Sequence, residues 1–156
     1  MPISITDDLV ELVESGVSIL VGTRDASKRS EATRGVGAFV HPDRRRLTVF
    51  LPTDVSGLAV ANLRDNGQIA VGFSRTLDHK TLQVKGRVEE VREATEAERE
   101  TVTRYHFAFA EILFHTGIPR GTVRRLNVWP SVAVTFEVTQ IFQQTPGPKA
   151  GELLSA

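Results

Sequence analysis

The stretch TLDHKTLQVKGRVEEV, Thr76 to Val91, decides the fold class. From Thr81 it alternates: Leu82, Val84 and Val88 point one way, with Gly86 among them, and Thr81, Gln83, Lys85 and Arg87 point the other. A period of two is the signature of a strand with one face in a core. The second face carries a hydroxyl, an amide and two cations in register. It reads either as a solvated face or as the lining of a polar groove for an anionic ligand. The alternation slips at Glu89-Glu90, where Val91 changes face, which predicts a β-bulge and a sheet that curls.

Working outward, the same kind of pattern recurs. Val17–Arg24, Thr33–Val40, Leu47–Leu51, Gln68–Ser74 and a last strand through Val132, Val134, Phe136 and Val138 all read as strands. Within Thr33–Val40, Arg34, Val36, Ala38 and Val40 share one expected face and Gly35, Gly37 and Phe39 the other. Paired glycines weaken a strand, so they imply a bend or the close approach of another body. Asp25–Glu31 (DASKRSE) is a polar loop. The triplet Arg44, Arg45 and Arg46 is a solvated hairpin tip. Helices are expected over residues 4–15, from Thr53 or Asp54 to about Arg64, and from the capping-box pair Thr95 and Glu98 to about His115. The second half of that last helix, YHFAFAEILF, is apolar almost all round and needs cover on two sides, from a partner subunit or from a terminal segment. Gly117–Arg125 is expected to be a loop, and the tail TPGPKAGELLSA is expected to be irregular. Six strands that neighbour one another in sequence, with helices only as additions, give a small antiparallel barrel rather than a βαβ array.

Composition narrows the function classes. The 156 residues fit one domain over 1–156, with 40% hydrophobic and 24% charged residues and a formal net charge of zero. That balance argues against a general attraction to nucleic acid or acidic lipid. There is no cysteine, hence no disulfide or thiolate chemistry. The opening MPISITDDLV lacks the layout of a signal peptide and no apolar run reaches membrane-spanning length, so a cytoplasmic protein without membrane contact is expected. No Walker loop, nucleophile elbow or dinucleotide fingerprint occurs. The histidines, His41, His79, His106 and His115, contain no i, i+4 pair, and no metal site is expected.

Three strings, in order, resemble the pyridoxamine 5′-phosphate oxidase-like family of FMN-binding split barrels: LTVFLPTDVSGLAVANLRDNGQIAVGFS (Leu47–Ser74), DHKTLQVKGRVEEV (Asp78–Val91) and RRLNVWPSVAVTFEVTQIF (Arg124–Phe142). The likeness runs from about Val17 to Phe142. It implies a six-stranded antiparallel split β-barrel, mainly β with added helices, and a homodimer holding FMN at its interface and acting on a small-molecule substrate. The cofactor contacts it implies are Arg34 facing the flavin, Phe50, Leu51 and Thr53 at the end of the third strand, Ser56 in the turn, Thr81 and Gln83 on the polar strand face, and Trp129 from the second subunit. The family's turn commonly reads Ser-Arg-Lys, with both cations on the phosphate. Here Gly57, Leu58 and Ala59 follow Ser56, so the phosphate is left to Lys80, Lys85, Arg34 or a partner arginine such as Arg124.

The resemblance implies an FMN-dependent oxidoreductase in which no side chain stands out as an obligatory acid or base. The alternatives are a non-enzymatic dimer holding flavin or haem, with His79 or His106 as axial ligand, and an interaction protein without cofactor.

Overall fold

The computed structural model describes residues 3–156. Its elements are α1 (Asp7–Glu14), β1 (Ser18–Arg24), β2 (Ser30–Arg34), β3 (Ala38–Val40), β4 (Arg46–Pro52), α2 (Gly57–Asn66), β5 (Gln68–Ser74), β6 (Thr81–Glu93), α3 (Glu96–Phe114), α4 (Arg120–Arg124), β7 (Ser131–Gln143) and β8 (Leu153–Ser155). The strands are antiparallel throughout and run β2-β1-β5-β6-β7-β4-β3, with β8 added to β7.

The described residues thus form eight strands, two more than the sequence suggested. One extra comes from the tail, whose Leu153 and Ser155 pair with Phe142 and Ile141. The other comes from the expected strand Thr33–Val40, which the chain divides in two. Gly37 adopts φ 137°, open to glycine and strained for other residues. Gly35 faces inward, where a Cβ would lie 2.4 Å from Ile19 Cγ2. The divided strand remains hydrogen-bonded. Gly35 N–H donates to the Ile19 carbonyl, Val36 N–H to that of Phe50, and Phe50 N–H to that of Gly37. Gly35–Gly37 therefore joins the two ends of the strand path, β2 on β1 and β3 on β4, and closes the barrel. The bend also corrects the expected faces, because Arg34 is exposed while Val36 and Ala38 are buried.

Inside, the apolar positions of each strand meet around Phe50, Phe73 and Phe136, all fully buried. β6 buries Leu82, Val84 and Gly86 and exposes Lys85 and Arg87, as its period requires. Its register slips between Val88 and Glu90, where the bulge was expected, and again between Lys85 and Gly86. The second slip lets Phe136 pack onto Gly86, where a Cβ would come within 2.4 Å of the Phe136 ring and 2.3 Å of the Glu137 carbonyl oxygen.

The helices finish the body. Thr6, not part of the helix itself, caps α1, and Leu9, Leu12 and Val13 enter the core. α2 starts later than expected: the chain first turns through Thr53–Val55, and Ser56 gives its hydroxyl to the Pro52 carbonyl at 2.6 Å instead of capping the helix. α3 carries the expected capping box of Thr95 and Glu98. It lies against the barrel through Val102, Tyr105 and Phe109, and the Tyr105 hydroxyl donates to the Val17 carbonyl at 2.7 Å. The expected loop at Gly117–Arg125 holds the short α4, which covers part of α3 with Val123. The tail pairs with β7 and does not serve as that cover. At the hairpin tip each arginine has a carboxylate: Arg44 with Asp7, Arg45 with Glu137, and Arg46 with Asp43.

Two substitutions check this account. Gly86→Ala should destabilise the fold by about 1–3 kcal/mol through overpacking against Phe136. Gly72→Ala, where a Cβ meets nothing within 4 Å, should change stability by no more than about 1 kcal/mol. Equal losses in urea unfolding would refute the packing argument. Tyr105→Phe should cost about 1–3 kcal/mol by orphaning the buried Val17 carbonyl, and a wild-type unfolding midpoint would show that bond to be dispensable.

Candidate cofactor site

The outer face of the sheet is built by register. Arg34 pairs with Leu20, Leu20 with Gly72, Gly72 with Gln83, and Gln83 with Phe142. Directly paired residues of antiparallel strands share a face. Arg34, Leu20, Gly72, Gln83 and Phe142 therefore form one row across β2, β1, β5, β6 and β7. Arg34 and Gln83 stand three strand spacings apart, about 14 Å. Between them lie Leu20, 56% exposed, and Gly72, which has no side chain. The next row, reached by stepping two residues along each strand, is Ala32, Gly22, Ala70, Lys85 and Gln140. The result is a shallow floor of glycine and alanine, with polar groups standing along its sides.

Arg34 ends β2 at the bend, and its guanidinium carbon lies 5.3 Å from the centre of the Phe109 ring on α3. It has no carboxylate partner among the described residues. An arginine held over an aromatic face keeps its in-plane donors free. Here it forms one wall of a cleft of about 200 Å³ that also includes Val36, Val55, Tyr105, Phe109 and Leu126. Asp54 closes one end by accepting from Asn127 Nδ2 at 2.9 Å. Burial raises the Tyr105 phenol far above its ordinary pKa, which keeps it a neutral donor to Val17. Leu126, Val55, Tyr105 and Phe109 were not named as site residues from the sequence. The apolar stripe of α3 was visible there, but which strand end it would cover was not.

The other residues named from the sequence fall into distinct places. Gln83 is half-buried on the row with Arg34. Thr81 lies two residues before it on the same face, and its hydroxyl is engaged, donating to the His79 carbonyl at 2.9 Å and bonded to the Ser74 hydroxyl at 2.8 Å. Lys80 precedes it, half-buried, with its backbone N–H on Asp78. Phe50 and Leu51 have fully buried side chains and support the sheet from within. Thr53 is exposed and gives its N–H to the Pro130 carbonyl. Trp129 is half-buried, packed against the core, with Arg99 5.5 Å from its ring centre. Arg124 lies over the Phe107 ring at 4.9 Å and is not among the residues that line the Arg34 cleft.

Flavin mononucleotide makes separate demands for its ring and its phosphate, and the residues present meet them unequally. For the ring, the flat Gly72 floor, the free Arg34 and the unpartnered Gln83 amide provide space and directed donors. For the phosphate, the turn at Thr53–Ser56 provides no cation. It presents the Asp54 carboxylate, and the Ser56 hydroxyl is 1% exposed and committed to Pro52. A phosphate dianion there would meet like charge.

Among the described residues no group of three or more His, Cys, Asp or Glu is gathered as a metal site, and no helix is long and apolar enough to cross a membrane.

No family model matches the sequence, and no curated protein matches it. Solved structures do. A candidate pyridoxamine 5′-phosphate oxidase from Lactobacillus delbrueckii superposes with a TM-score of 0.57 at 15% identity, over 89% of this chain and 93% of that one. HupZ of Group A Streptococcus gives 0.58 at 21% identity, over 94% and 99%. HutZ, the haem storage protein of Vibrio cholerae, gives 0.53 at 13% identity, over 90% and 95%. Likeness at these identities is a likeness of backbone, and it agrees with the closed path of strands and the capped α3 described above: the chain has the split-barrel fold of the pyridoxamine 5′-phosphate oxidase-like proteins.

Proposed function

We propose that this protein binds a flavin on the outer face of its sheet, does so as a homodimer, and serves as an FMN-dependent oxidoreductase acting on a small molecule. One observation carries the reading: the register sets the unpaired Arg34 and the unpartnered Gln83 on one row, with only Leu20 and Gly72 between them. A flat heterocycle with acceptors and donors along one edge suits that spacing. Bound flavin would supply the electron-transfer chemistry. The chain's part is to bind the ring edge, orient it and favour negative charge beside Arg34.

Shape is what supports the dimer. The face is an open sheet surface that carries the exposed Leu20 beside glycine and alanine, so one copy alone does not enclose a ring. A second copy over the same face would turn it into a crevice and bury Leu20. Haem is the second reading, because the HutZ fold is shared and because His79 is exposed at the rim of this face. His106 suits that role less, since its Nε2 is 2.7 Å from the Val123 carbonyl oxygen and is held there as a donor.

Titration of the purified protein with FMN, followed through Trp129 fluorescence and melting temperature, tests the assignment. Arg34→Ala should weaken FMN about tenfold or more, the loss of a charge-assisted hydrogen bond. Arg45→Ala, on the ion-paired hairpin tip, should stay within about twofold; equal affinities would remove Arg34 from the site. An unchanged melting temperature with FMN, together with a Soret band on adding haem that His79→Ala abolishes, would favour the second reading. For the dimer, Leu20→Lys should yield a monomer by light scattering, and a dimer of undiminished stability would place the interface elsewhere.

A further inference from the structure

The phosphate turn of the fold lacks its cations, yet the outer face holds others. Arg44, Arg45, Arg46, Arg75, Arg92 and Arg120 are among the arginines spent in ion pairs, each with a carboxylate within 4.0 Å. Arg24 and Lys85 have none among the described residues. They border a basin of about 340 Å³ with Gly22, Ala70, Gln68 and Thr139, and no carboxylate lines it. Its floor is small for a reason the register supplies, because Gly22 pairs with Ala70 and Ala70 with Lys85. Arg24 Nη1 donates to the Asp25 carbonyl at 3.2 Å, and the Lys85 ammonium lies 4.9 Å from the centre of the Phe142 ring. Both cations are thus partly ordered and neither is neutralised. The Gln68 amide adds neutral donors at the rim.

We infer that this basin is an anion subsite for a phosphate monoester, and that its occupant is the phosphate of the bound flavin nucleotide. This rests on the flavin reading above. Lys85 is two residues beyond Gln83 on the same face of β6, about 6.8 Å along the strand. That step is comparable to the span of the polyol chain that separates a flavin ring from its phosphate. The ring over the Arg34–Gln83 row and the phosphate in the Arg24–Lys85 basin then use one continuous floor. The turn at Ser56 is relieved of a role that its residues cannot fill. A dianion is held by two cations and amide donors rather than by the Ser-Arg-Lys turn.

The test uses the full chain and three probes: inorganic phosphate, FMN and riboflavin. Phosphate should raise the melting temperature above that in chloride of equal ionic strength. The rise should vanish in the Arg24→Gln, Lys85→Gln double variant and persist in Arg125→Gln, Lys149→Gln, which removes the same charge elsewhere. Equal melting temperatures in phosphate and chloride would overturn the basin, whatever the flavins do. FMN should bind at least tenfold more tightly than riboflavin, and the double variant should erase that difference by weakening FMN alone. Equal affinities of wild type for the two flavins would exclude the cofactor's phosphate as occupant. Failure of both flavins to bind would sink the flavin reading and this assignment of the occupant together, and the phosphate arm would still decide whether the basin takes the anion.

Discussion

The hydrogen bonds through Gly35, Val36 and Gly37 are the constraint on which the rest of the structure depends. A strand that pairs with β1 on one side must leave it and pair with β4 within three residues. A side chain at Gly35 would strike Ile19, and the φ of Gly37 is hard for any other residue to adopt. With the bend made, the barrel closes, the core around Phe50, Phe73 and Phe136 is sealed, and Arg34 swings outward beside α3. The same three residues therefore make both the enclosure and the one free guanidinium of the candidate cleft.

Charge is distributed with a pattern. The hairpin tip, the β5–β6 turn and the start of α3 hold arginine and carboxylate together. Such exposed pairs contribute little to stability, but they leave those surfaces electrically quiet. The outer sheet face is different: Arg24, Arg34 and Lys85 have no ion-pair partner there among the described residues, and small residues form the floor. A net charge of zero for the whole chain thus conceals a local excess of positive charge.

Much of this was legible in the sequence. Strand positions in β5 and β6, the bulge near Glu89 and the capping box of α3 all followed from period and spacing, because those signals are local. The bend was half legible: two glycines demanded a reason, but a straight strand put them opposite Arg34 and made one site for both hard to build. Only the pairing of the halves with different neighbours resolves that conflict. The roles of Phe50, Leu51 and Ser56 could not be separated by local pattern, since a buried strand reads as a continuous apolar run whether or not a ligand lies beyond it. The Arg34–Gln83 row and the Arg24–Lys85 basin depend on register between segments far apart in sequence, which no single stretch encodes. The tail's short strand was hidden by its proline and glycine content.

That short strand has a consequence for how the chain behaves in crowded solution. β7 is longer than β4 beside it, and beyond Arg46 its backbone would otherwise offer bare N–H and carbonyl groups. Such an uncovered margin invites a stranger's strand. Residues 153–155 occupy it, and the Thr145 hydroxyl accepts from the Thr81 N–H to moor the returning chain. The tail thereby covers a margin on which a foreign strand could otherwise add.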